Sequence, residues 1–450
     1  MRKETAAHEC ISEDALVHLK SYKYSSVDKS PVSYYILRHY WNWFVQLLPL
    51  WLAPNLVTLI GFFFILGNVI LLEIYVPDMV GPAPSWVYYS FAVGIWMYST
   101  MDNVDGKQAR RTGTSSPLGE LFDHGIDSLN CTLASLFEVA AMGFGPTKTG
   151  AFTALVPCLP MFFSTWETYH THTLYLGYFN GPTEGLIIAC IFMIASGIYG
   201  AQIWSIPFYP YLPEAIQTLT DPSLHPLTAK YFTTTTNLKD IWVVFILVAF
   251  LVAHLPECVS NVYRARSAKG LPTLPLLLEW TPMVLFTGGC VGWLGSPYSS
   301  LLRNNHLVLF SLTMSLVFGR MTTKIILAHL TRQPFPYWTA LLAPLLIGAV
   351  VSNYPLLGLK PIWTDTLELR YLQVYFVFAA IIYGRWAYLV INSICKYLGI
   401  NALTIPKEKV EEAKRRQEAE RAAQNDSING SALPGPNEKI VNGPTTRKVD

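Results

Sequence analysis

The sequence predicts an all-α protein embedded in a membrane, with about ten transmembrane helices and an interfacial helix before the first of them. Of 450 residues, 52% are hydrophobic and only 14% are charged. Mean hydropathy is +0.32, a balance expected where lipid replaces water around the chain. Residues 56–72 and 242–252 are apolar on every helical face. A membrane β-barrel would instead show short alternating segments.

Residues 1–54 are predicted to form a cytosolic N-terminal region. Residues 1–29 are polar and charged and contain no apolar run before a small-residue cleavage site, so no removable signal peptide is expected. Residues 33–52 mix aromatic residues and leucine with Arg38 and His39, which is typical of an amphipathic helix in the headgroup layer. A helix packed on the bundle explains this pattern equally well.

One transmembrane domain is predicted over residues 55–400. A helix needs roughly 17–25 apolar residues to cross a bilayer, and about ten segments meet this requirement. They begin near Asn55, Trp86, Ile126, Ala151, Gly185, Ile241, Pro272, His306, Tyr337 and Tyr371.

Residues 401–450 are predicted to form a charged cytosolic tail. Glu411 and Arg415, like Glu412 and Arg416, have the i, i+4 spacing that supports a helix over residues 407–421. The rest of the tail is rich in Pro, Gly, Asn and Ser, a composition that predicts disorder.

The placement of basic residues predicts the orientation of the chain, because cytosolic loops carry an excess of Lys and Arg. An even number of crossings puts both termini and the loop between spans two and three on one side. Basic residues predicted in loops on that side are Lys107, Arg110, Arg111, Arg264, Arg266, Lys269, Arg320, Lys324 and Arg332. Residues 76–85, on the other side, contain none. The net charge of +2 is too small to suggest nucleic acid as a partner.

Residues 101–130 contain the strongest chemical signal, four aspartates where span two ends and span three begins. Asp102 and Asp105 share one helical face at i, i+3, and Asp123 and Asp127 share a face of the next helix at i, i+4. Four carboxylates in a confined space repel one another unless a cation neutralises them. Oxygen ligands select Mg²⁺, Mn²⁺ or Ca²⁺ over zinc. One or two divalent ions bound by these aspartates are therefore predicted.

Small residues and an arginine accompany the aspartates. Gly106, Ala109 and Gly119 lie on or beside the two faces, where minimal side chains let a nucleotide approach the backbone. Arg110 can donate two hydrogen bonds to phosphate oxygens. Carboxylates, metal and arginine together predict a binding site for a diphosphate.

These residues fit the signature D-x2-D-G-x2-A-R-x8-G-x3-D-x3-D without exception, and the sequence therefore resembles the CDP-alcohol phosphotransferase family. Small prokaryotic-type members have about six spans, whereas this longer chain is similar to the eukaryotic choline- and ethanolaminephosphotransferases. Segments beginning at Ala53, Asp105, Ser115 and Thr165 are similar to that subgroup. The resemblance covers residues 35–400.

The resemblance implies transfer of phosphocholine or phosphoethanolamine from CDP-choline or CDP-ethanolamine to diacylglycerol, with release of CMP. It also implies Mg²⁺ or Mn²⁺, with two ions expected, and membrane lipids as surroundings. The expected location is the endoplasmic reticulum, with the Golgi as the alternative, and the active site faces the cytosol. Homodimerisation is common among such relatives. The choice between choline and ethanolamine stays open.

Three further residues are assigned roles. His124 is taken as the general base, because its unperturbed pKa lies near working pH, with Asp127 as a second candidate. Glu120 is expected to orient the His124 imidazole or to contact substrate. For Asn55 the resemblance implies a nucleotide contact, whereas its position at the start of a span also suits a helix N-cap.

A cation-coupled transporter is the alternative function, since intramembrane carboxylates also suit transport. Such a protein would place its acids near mid-membrane on broken helices, whereas these lie at a helix–loop–helix junction beside Arg110 and Arg111. The motif therefore favours the enzyme.

Two other groups of residues have competing interpretations. Trp166, Glu167 and Tyr169 suggest a cage for a quaternary ammonium headgroup, although aromatic residues near a membrane surface usually belong to the interfacial belt. Glu257 and Glu279 are acids within or beside apolar spans, and each has either a functional role or a helix–helix hydrogen bond.

Overall fold

The computed structural model describes residues 11–22, 24–207, 209–211, 213, 214, 217 and 235–430, and these are almost wholly helical. The α-helices are α1 (Glu13–Leu16), α2 (Arg38–Leu47), α3 (Pro54–Tyr75), α4 (Ser85–Thr112), α5 (Pro117–Ala141), α6 (Lys148–Leu155), α7 (Cys158–Thr171), α8 (Leu186–Tyr199), α9 (Leu238–Val248), α10 (Leu255–Ala268), α11 (Thr281–Gly295), α12 (Leu307–Thr331), α13 (Leu342–Asn353), α14 (Asp365–Leu398) and α15 (Lys407–Gly430). Short 3₁₀ turns are Val17–Ser21, Ala201–Ser205, Tyr209–Tyr211, Leu274–Trp280 and Tyr354–Leu357, and π turns are Ser33–Leu37, Gly181–Gly185 and Ala249–His254.

The prediction of an all-α polytopic membrane protein is confirmed. Helical structure occupies every predicted span. The helix of the third predicted span, α5, begins at Pro117 rather than near Ile126. Within the described residues, five helical stretches are long and apolar enough to cross a membrane: Pro54–Tyr75, Gly181–Tyr199, Leu238–Ala268, Leu274–Gly295 and Asp365–Leu398. Leu342–Leu357 is apolar but shorter. The total number of crossings stays a prediction.

Helix α12 is longer than its apolar pattern indicated. It continues to Thr331, so the predicted loop position of Arg320 and Lys324 is wrong, and both lie within the helix. Lys107, Arg110 and Arg111 likewise lie within α4, and Arg264 and Arg266 lie within α10, because both helices continue past their apolar segments. Arg320 donates to Thr339 Oγ1 at 2.9 Å, and Lys324 donates to the Trp338 carbonyl at 2.9 Å. Each of these two cations is therefore hydrogen-bonded to the segment that follows the helix.

Three helices build the part of the bundle that carries the motif. Helix α3 packs along α4, and both contact α5. Helix α5 also packs against α12, which in turn contacts α14. Elsewhere α4 packs on α8, α7 on α10, and α11 on α13. One large hydrophobic core runs through these contacts, so the motif helices are held from several sides.

The N-terminal helix packs on the bundle by one face. Leu37, Trp41 and Val45 recur at i, i+4 and i+8, and they are buried in a cluster that includes Val57 and Val104. The other face exposes apolar side chains, including Tyr35, Trp43 and Leu47. The bundle-packing interpretation is therefore observed, and the exposed apolar face keeps an interfacial location as a prediction.

A two-stranded parallel sheet, which the sequence did not predict, ties the N-terminal region to the loop after α7. Strand β1 (Ser26–Asp28) pairs with β2 (Leu174–Leu176), with Val27 opposite Tyr175. Strands of three residues are too short to show the alternation that predicts strands.

The tail helix α15 extends to Gly430, beyond the predicted residues 407–421. Arg416 and Glu412 form the expected i, i+4 pair at 3.3 Å. Lys409 Nζ donates to the carbonyl of Gly113, in the loop after α4, at 3.4 Å. The tail helix and the motif loop therefore lie at one end of the bundle, as predicted. Residues 1–10 and 431–450 of the two terminal regions lie outside the described residues.

Candidate active site

A tight turn brings the two motif helices together. Helix α4 ends at Gly113, whose φ of +65° suits glycine, and its N–H bonds the carbonyls of Ala109 and Arg110. Ser116 caps α5 by accepting from the Gly119 N–H, and Pro117 occupies the first helical position. These capping residues fix the loop, so the C-terminal end of α4 lies beside the N-terminal end of α5.

The four motif aspartates meet in this junction, as predicted. The carboxyl group of Asp102 lies close to those of Asp123 and Asp127 on the neighbouring helix. Asp105 is buried and lies within electrostatic range of Asp127. Two carboxylates from each helix therefore surround one site.

Neutral hydroxyl groups, rather than basic side chains, support this cluster. Thr58 of α3 donates to Asp105 Oδ2, and Tyr98 of α4 donates to Asp127 Oδ1. In the described chain Asp102 Oδ1 and Asp123 Oδ1 are buried without a hydrogen-bond partner. Buried oxygens without partners are costly and rare. A cation bound between them would satisfy both, and a set of carboxylate oxygens fits Mg²⁺ or Mn²⁺.

His124 lies within the carboxylate cluster. Its Nδ1 is 3.7 Å from Asp127 Oδ2 and 3.9 Å from Asp123 Oδ2. One ligand atom from each of these three residues lies within 4.8 Å of the others. The imidazole is thus placed where it can accept a proton, or bind a cation together with Asp123 and Asp127.

Glu120 has partners that the sequence did not predict. Its buried carboxylate accepts a hydrogen bond from Tyr22, and Oε1 lies 3.9 Å from His329 Nε2. Among the described residues, the carboxylates that pair with His124 within ion-pair distance are Asp123 and Asp127, not Glu120. Tyr22 is 98 residues away in the sequence, so no local pattern reveals this contact.

The N-terminal segment also approaches the aspartates through Tyr24. Desolvation, together with the negative charges of Asp123 and Asp102, raises the pKa of the Tyr24 phenol to about 12. Tyr22, bonded to Glu120, therefore brings an aromatic residue to the site from a segment outside the motif, and Tyr24, 52% exposed, lies within electrostatic range of the aspartates.

Asn55, at the start of α3, lies near the motif helix α5. The first residue of α3 is Pro54 and its N-cap is Ala53, so the N-cap interpretation of Asn55 is wrong. The Asn55 Nδ2 donates to the Ala402 carbonyl at 2.9 Å. Its Oδ1 lies 3.9 Å from where a Cβ on Gly119 would stand, which leaves this oxygen facing the start of α5.

The two arginines after the aspartates differ in environment. Arg111 donates to the carbonyls of Val45 and Leu48, at 2.8 and 2.6 Å, and so anchors the end of α2. Arg110 is exposed, and its Nη1 is 3.7 Å from a Cβ built on Gly106. Ala109 is partly buried beside it. Of these two arginines, Arg110 is the exposed one, and its guanidinium can contact a ligand phosphate.

The predicted ammonium cage is wrong. Trp166 is only 1% exposed, and its Nε1 donates to Glu279 Oε2 at 2.7 Å. Glu167 is buried and accepts from Asn261 at 2.6 Å. Trp166 and Glu167 are packed between helices and leave no room for a headgroup between them, whereas Tyr169 is only partly buried.

The two apolar-span acids have structural partners. Glu279 Oε2 lies 2.6 Å from His170 Nε2, which confirms the helix–helix hydrogen bond expected for it. Glu257 forms an ion pair with Lys29 at 3.7 Å, and both side chains are largely exposed.

A helical membrane bundle in which carboxylates from two helices converge beside an exposed arginine and small residues belongs to the class of membrane proteins with an acidic site that could hold a metal ion. The family description "CDP-alcohol phosphatidyltransferase" matches residues 51–204.

Three proteins of similar sequence align with most of this chain. Choline/ethanolaminephosphotransferase 1 of Arabidopsis thaliana is 34% identical over 421 residues, covering 88% of this chain and 99% of the relative. Cholinephosphotransferase 1 of Saccharomyces cerevisiae is 37% identical over 336 residues, covering 72% of this chain and 80% of the relative. Ethanolaminephosphotransferase 1 of Mus musculus is 30% identical over 364 residues, covering 77% and 84%. The chain belongs to the CDP-alcohol phosphatidyltransferase family.

Proposed function

We propose that this protein transfers phosphocholine, phosphoethanolamine or both from the CDP-alcohol to diacylglycerol, forming the phospholipid and CMP. The observation that carries this proposal is the convergence of four aspartates, two of which, Asp102 and Asp123, each have a buried carboxylate oxygen without a hydrogen-bond partner in the described chain. Relatives named for choline, for ethanolamine and for both headgroups support the reaction class. The headgroup is left to experiment.

Two divalent ions, Mg²⁺ or Mn²⁺, are proposed to bind at Asp102, Asp105, Asp123 and Asp127. When bound, they would neutralise negative charge on the diphosphate and on the departing CMP. Among the described residues, no Lys or Arg pairs with these carboxylates, so their charge remains available for cations.

The nucleotide and diphosphate are proposed to lie against small residues of both motif helices. The proposed contacts are Asn55, Gly106, Ala109, Arg110 and Gly119. The Arg110 guanidinium lies over Gly106 and can donate to phosphate oxygens. The free Oδ1 of Asn55 faces Gly119, where an oxygen can accept from the cytosine amino group.

His124 is proposed as the general base. The diacylglycerol hydroxyl oxygen forms a bond to the distal phosphorus, and the bond from that phosphorus to the bridging oxygen breaks. CMP leaves with the electron pair, and the hydroxyl proton passes to the imidazole. Asp127, 3.7 Å from Nδ1, holds the ring and stabilises its protonated form. Glu120, bonded to Tyr22 instead, is proposed to face substrate.

Cation-coupled transport has no support. The matching relatives quoted above are named as transferases. The acids lie on the continuous helices α4 and α5, within about three turns of the helix ends at Gly113 and Ser116, whereas a transporter would place them on broken helices at mid-membrane. We further propose the endoplasmic reticulum as location, with the active site on the cytosolic side and a homodimer as the assembly.

CMP release by the purified protein tests this function. The assay supplies diacylglycerol and Mg²⁺ with either CDP-choline or CDP-ethanolamine, and Asp127→Ala and EDTA serve as controls. Release that requires metal, Asp127 and diacylglycerol would establish the reaction, and the ratio of the two rates would identify the headgroup. Folded protein that releases no CMP from either donor would refute it.

A further inference from the structure

A second polar site lies between three helix ends, next to the aspartate cluster. The ends of α7, α10 and α12 line an open cavity of about 440 Å³. Cavities of this size hold small ligands or headgroups. The buried side chain of His329 separates it from the catalytic motif, since His329 Nε2 is 3.9 Å from Glu120 and Nδ1 is 3.1 Å from His172 Nδ1 in the cavity wall. The cavity is thus distinct from the aspartate site.

The cavity carries an excess of positive charge. Arg266, Lys269 and Arg332 line it, and none of them forms an ion pair within the described chain. The acid in its wall, Glu279, is already bonded to His170 and to a buried tryptophan. The charges of Lys269 and Arg332, added to the effect of burial, lower the pKa of His172. A phosphate group would neutralise these charges.

The helix dipole does not explain these basic residues. Basic side chains near a helix C-terminus are common because they complement the dipole. Here, however, the C-cap residues of all three helices, His172, Lys269 and Arg332, converge on one cavity. His172 and Arg332 have φ of 58° and 53°, a conformation that favours glycine. Residues held in such a conformation point to a function for their side chains.

Exposed apolar side chains belong to two segments that line the cavity. The 3₁₀ segment Leu274–Trp280 contributes Glu279 to the wall and exposes Leu274, Leu277 and Leu278, at 77%, 56% and 63%. Tyr337, in the segment after α12, lines the cavity, and it and the next residue, Trp338, are also exposed, as aromatic residues at the membrane interface are. A cationic cavity bordered by exposed apolar side chains at a helix end has the layout of a lipid headgroup site.

We propose that this cavity binds the phosphate headgroup of a membrane phospholipid, at a site separate from the catalytic centre. Lys269 and Arg332 contact the phosphate from two helix ends, and the acyl chains run along the leucines that precede α11. Because the site recognises the phosphate group, binding of a membrane phospholipid there does not depend on which headgroup the enzyme transfers.

Native mass spectrometry of the full-length protein in detergent tests this site. The probe is dioleoyl phosphatidic acid, and dioleoylglycerol, which lacks the phosphate, is the comparison lipid. We expect Lys269→Gln with Arg332→Gln to retain phosphatidic acid at least about tenfold less well than wild type, with retention of dioleoylglycerol unchanged. Lys360→Gln with Arg370→Gln removes the same charge from exposed positions just before and near the start of α14, which does not line the cavity, and should leave both lipids bound.

Other outcomes would overturn the assignment. Equal retention of phosphatidic acid by all variants would remove the site. Displacement of the lipid by CMP would place the donor nucleotide in the cavity instead. Binding of inorganic phosphate but not of phosphatidic acid would show that the cavity binds a free phosphate ion and not a lipid.

Arg332→Gly is the control for folding, because glycine suits the backbone conformation at this position. If this variant stays folded and loses the lipid, the loss reflects the missing charge and not unfolding. None of these measurements depends on turnover.

Discussion

At the scale of single residues, the site keeps its negative charge by pairing carboxylates with neutral donors. Thr58 and Tyr98 each bond one aspartate, so the orientation of these acids is fixed without an opposing cation. A lysine in either position would neutralise the cluster and compete with the metal. The unpaired oxygens of Asp102 and Asp123 are the remaining ligand atoms.

Asp123→Ala should abolish metal-dependent CMP release, because the variant loses a ligand oxygen that no neighbouring side chain can replace. The same loss is expected for Asp102→Ala, Asp105→Ala and Asp127→Ala. Asp240→Ala changes an acid at the start of α9, away from the motif, and is the control. Full activity of Asp123→Ala at any Mg²⁺ concentration would contradict the proposed metal site.

His124→Ala should bind the CDP-alcohol normally and lose about 10²- to 10⁴-fold in turnover, the usual contribution of a general base. Calorimetry with the donor substrate and the rate of CMP release measure the two effects separately. Tight binding with unchanged turnover would eliminate His124 as the base. Weakened metal binding would indicate instead that the imidazole is a cation ligand.

At the scale of helices, close packing of α3 on α4 sets the position of the first two aspartates. Gly94 is the point of closest approach: a Cβ there would stand 2.0 Å from Asn68 Nδ2. Asn68 cannot move freely, because it donates to the Ser90 carbonyl at 2.8 Å and accepts from Ser90 Oγ at 2.6 Å. The helix spacing at Gly94 is carried along α4 to Asp102.

Gly94→Ala should therefore destabilise the protein by about 1–3 kcal/mol through overpacking. Gly67→Ala, on the adjoining helix, is the matched control, since its Cβ would meet nothing within 4 Å; alanine also favours a helix over glycine by about 1 kcal/mol. Thermal unfolding in detergent compares the two. Equal melting temperatures would show that α3 and α4 separate easily.

At the scale of the whole molecule, a buried carboxylate holds helices together at the end of the bundle that lies away from the motif. Glu368 of α14 is fully buried. It accepts from Trp293 Nε1 at 2.8 Å, from Ser299 Oγ at 2.7 Å, and from the Ser300 N–H and Oγ at 2.6 Å. These bonds tie α14 to α11 and to the loop before α12. Helix α14, about 51 Å long, then reaches the opposite end, where Ala402 bonds Asn55.

Glu368→Ala should lower the melting temperature strongly, because it leaves several buried donors without an acceptor, at about 1–3 kcal/mol each. Asp365→Ala removes an exposed acid three residues earlier on the same helix and should have little effect. Measuring substrate binding beside stability tests whether the loss reaches Asn55. A Glu368→Ala protein as stable as Asp365→Ala would show that this network does not hold the helices together.

The sequence by itself determined the membrane fold and the grouping of the four aspartates on two adjacent helices, because both depend on short-range patterns. Continuous apolar segments predicted the helices, and the fixed spacing of Asp102, Asp105, Asp123 and Asp127 predicted that two helices would present their carboxylates together. Helical periodicity and capping at Gly113 and Ser116 act within a few residues, so a linear reading reveals them.

Only the tertiary structure decided which side chains from other helices complete the site. Glu120 is bound to Tyr22 and not to His124, and Trp166 is part of the core. The basic cavity at Lys269 and Arg332 joins three helix ends that are distant in the sequence. Such contacts depend on how helices pack, and packing is a property of all neighbouring surfaces together, which no local spacing encodes.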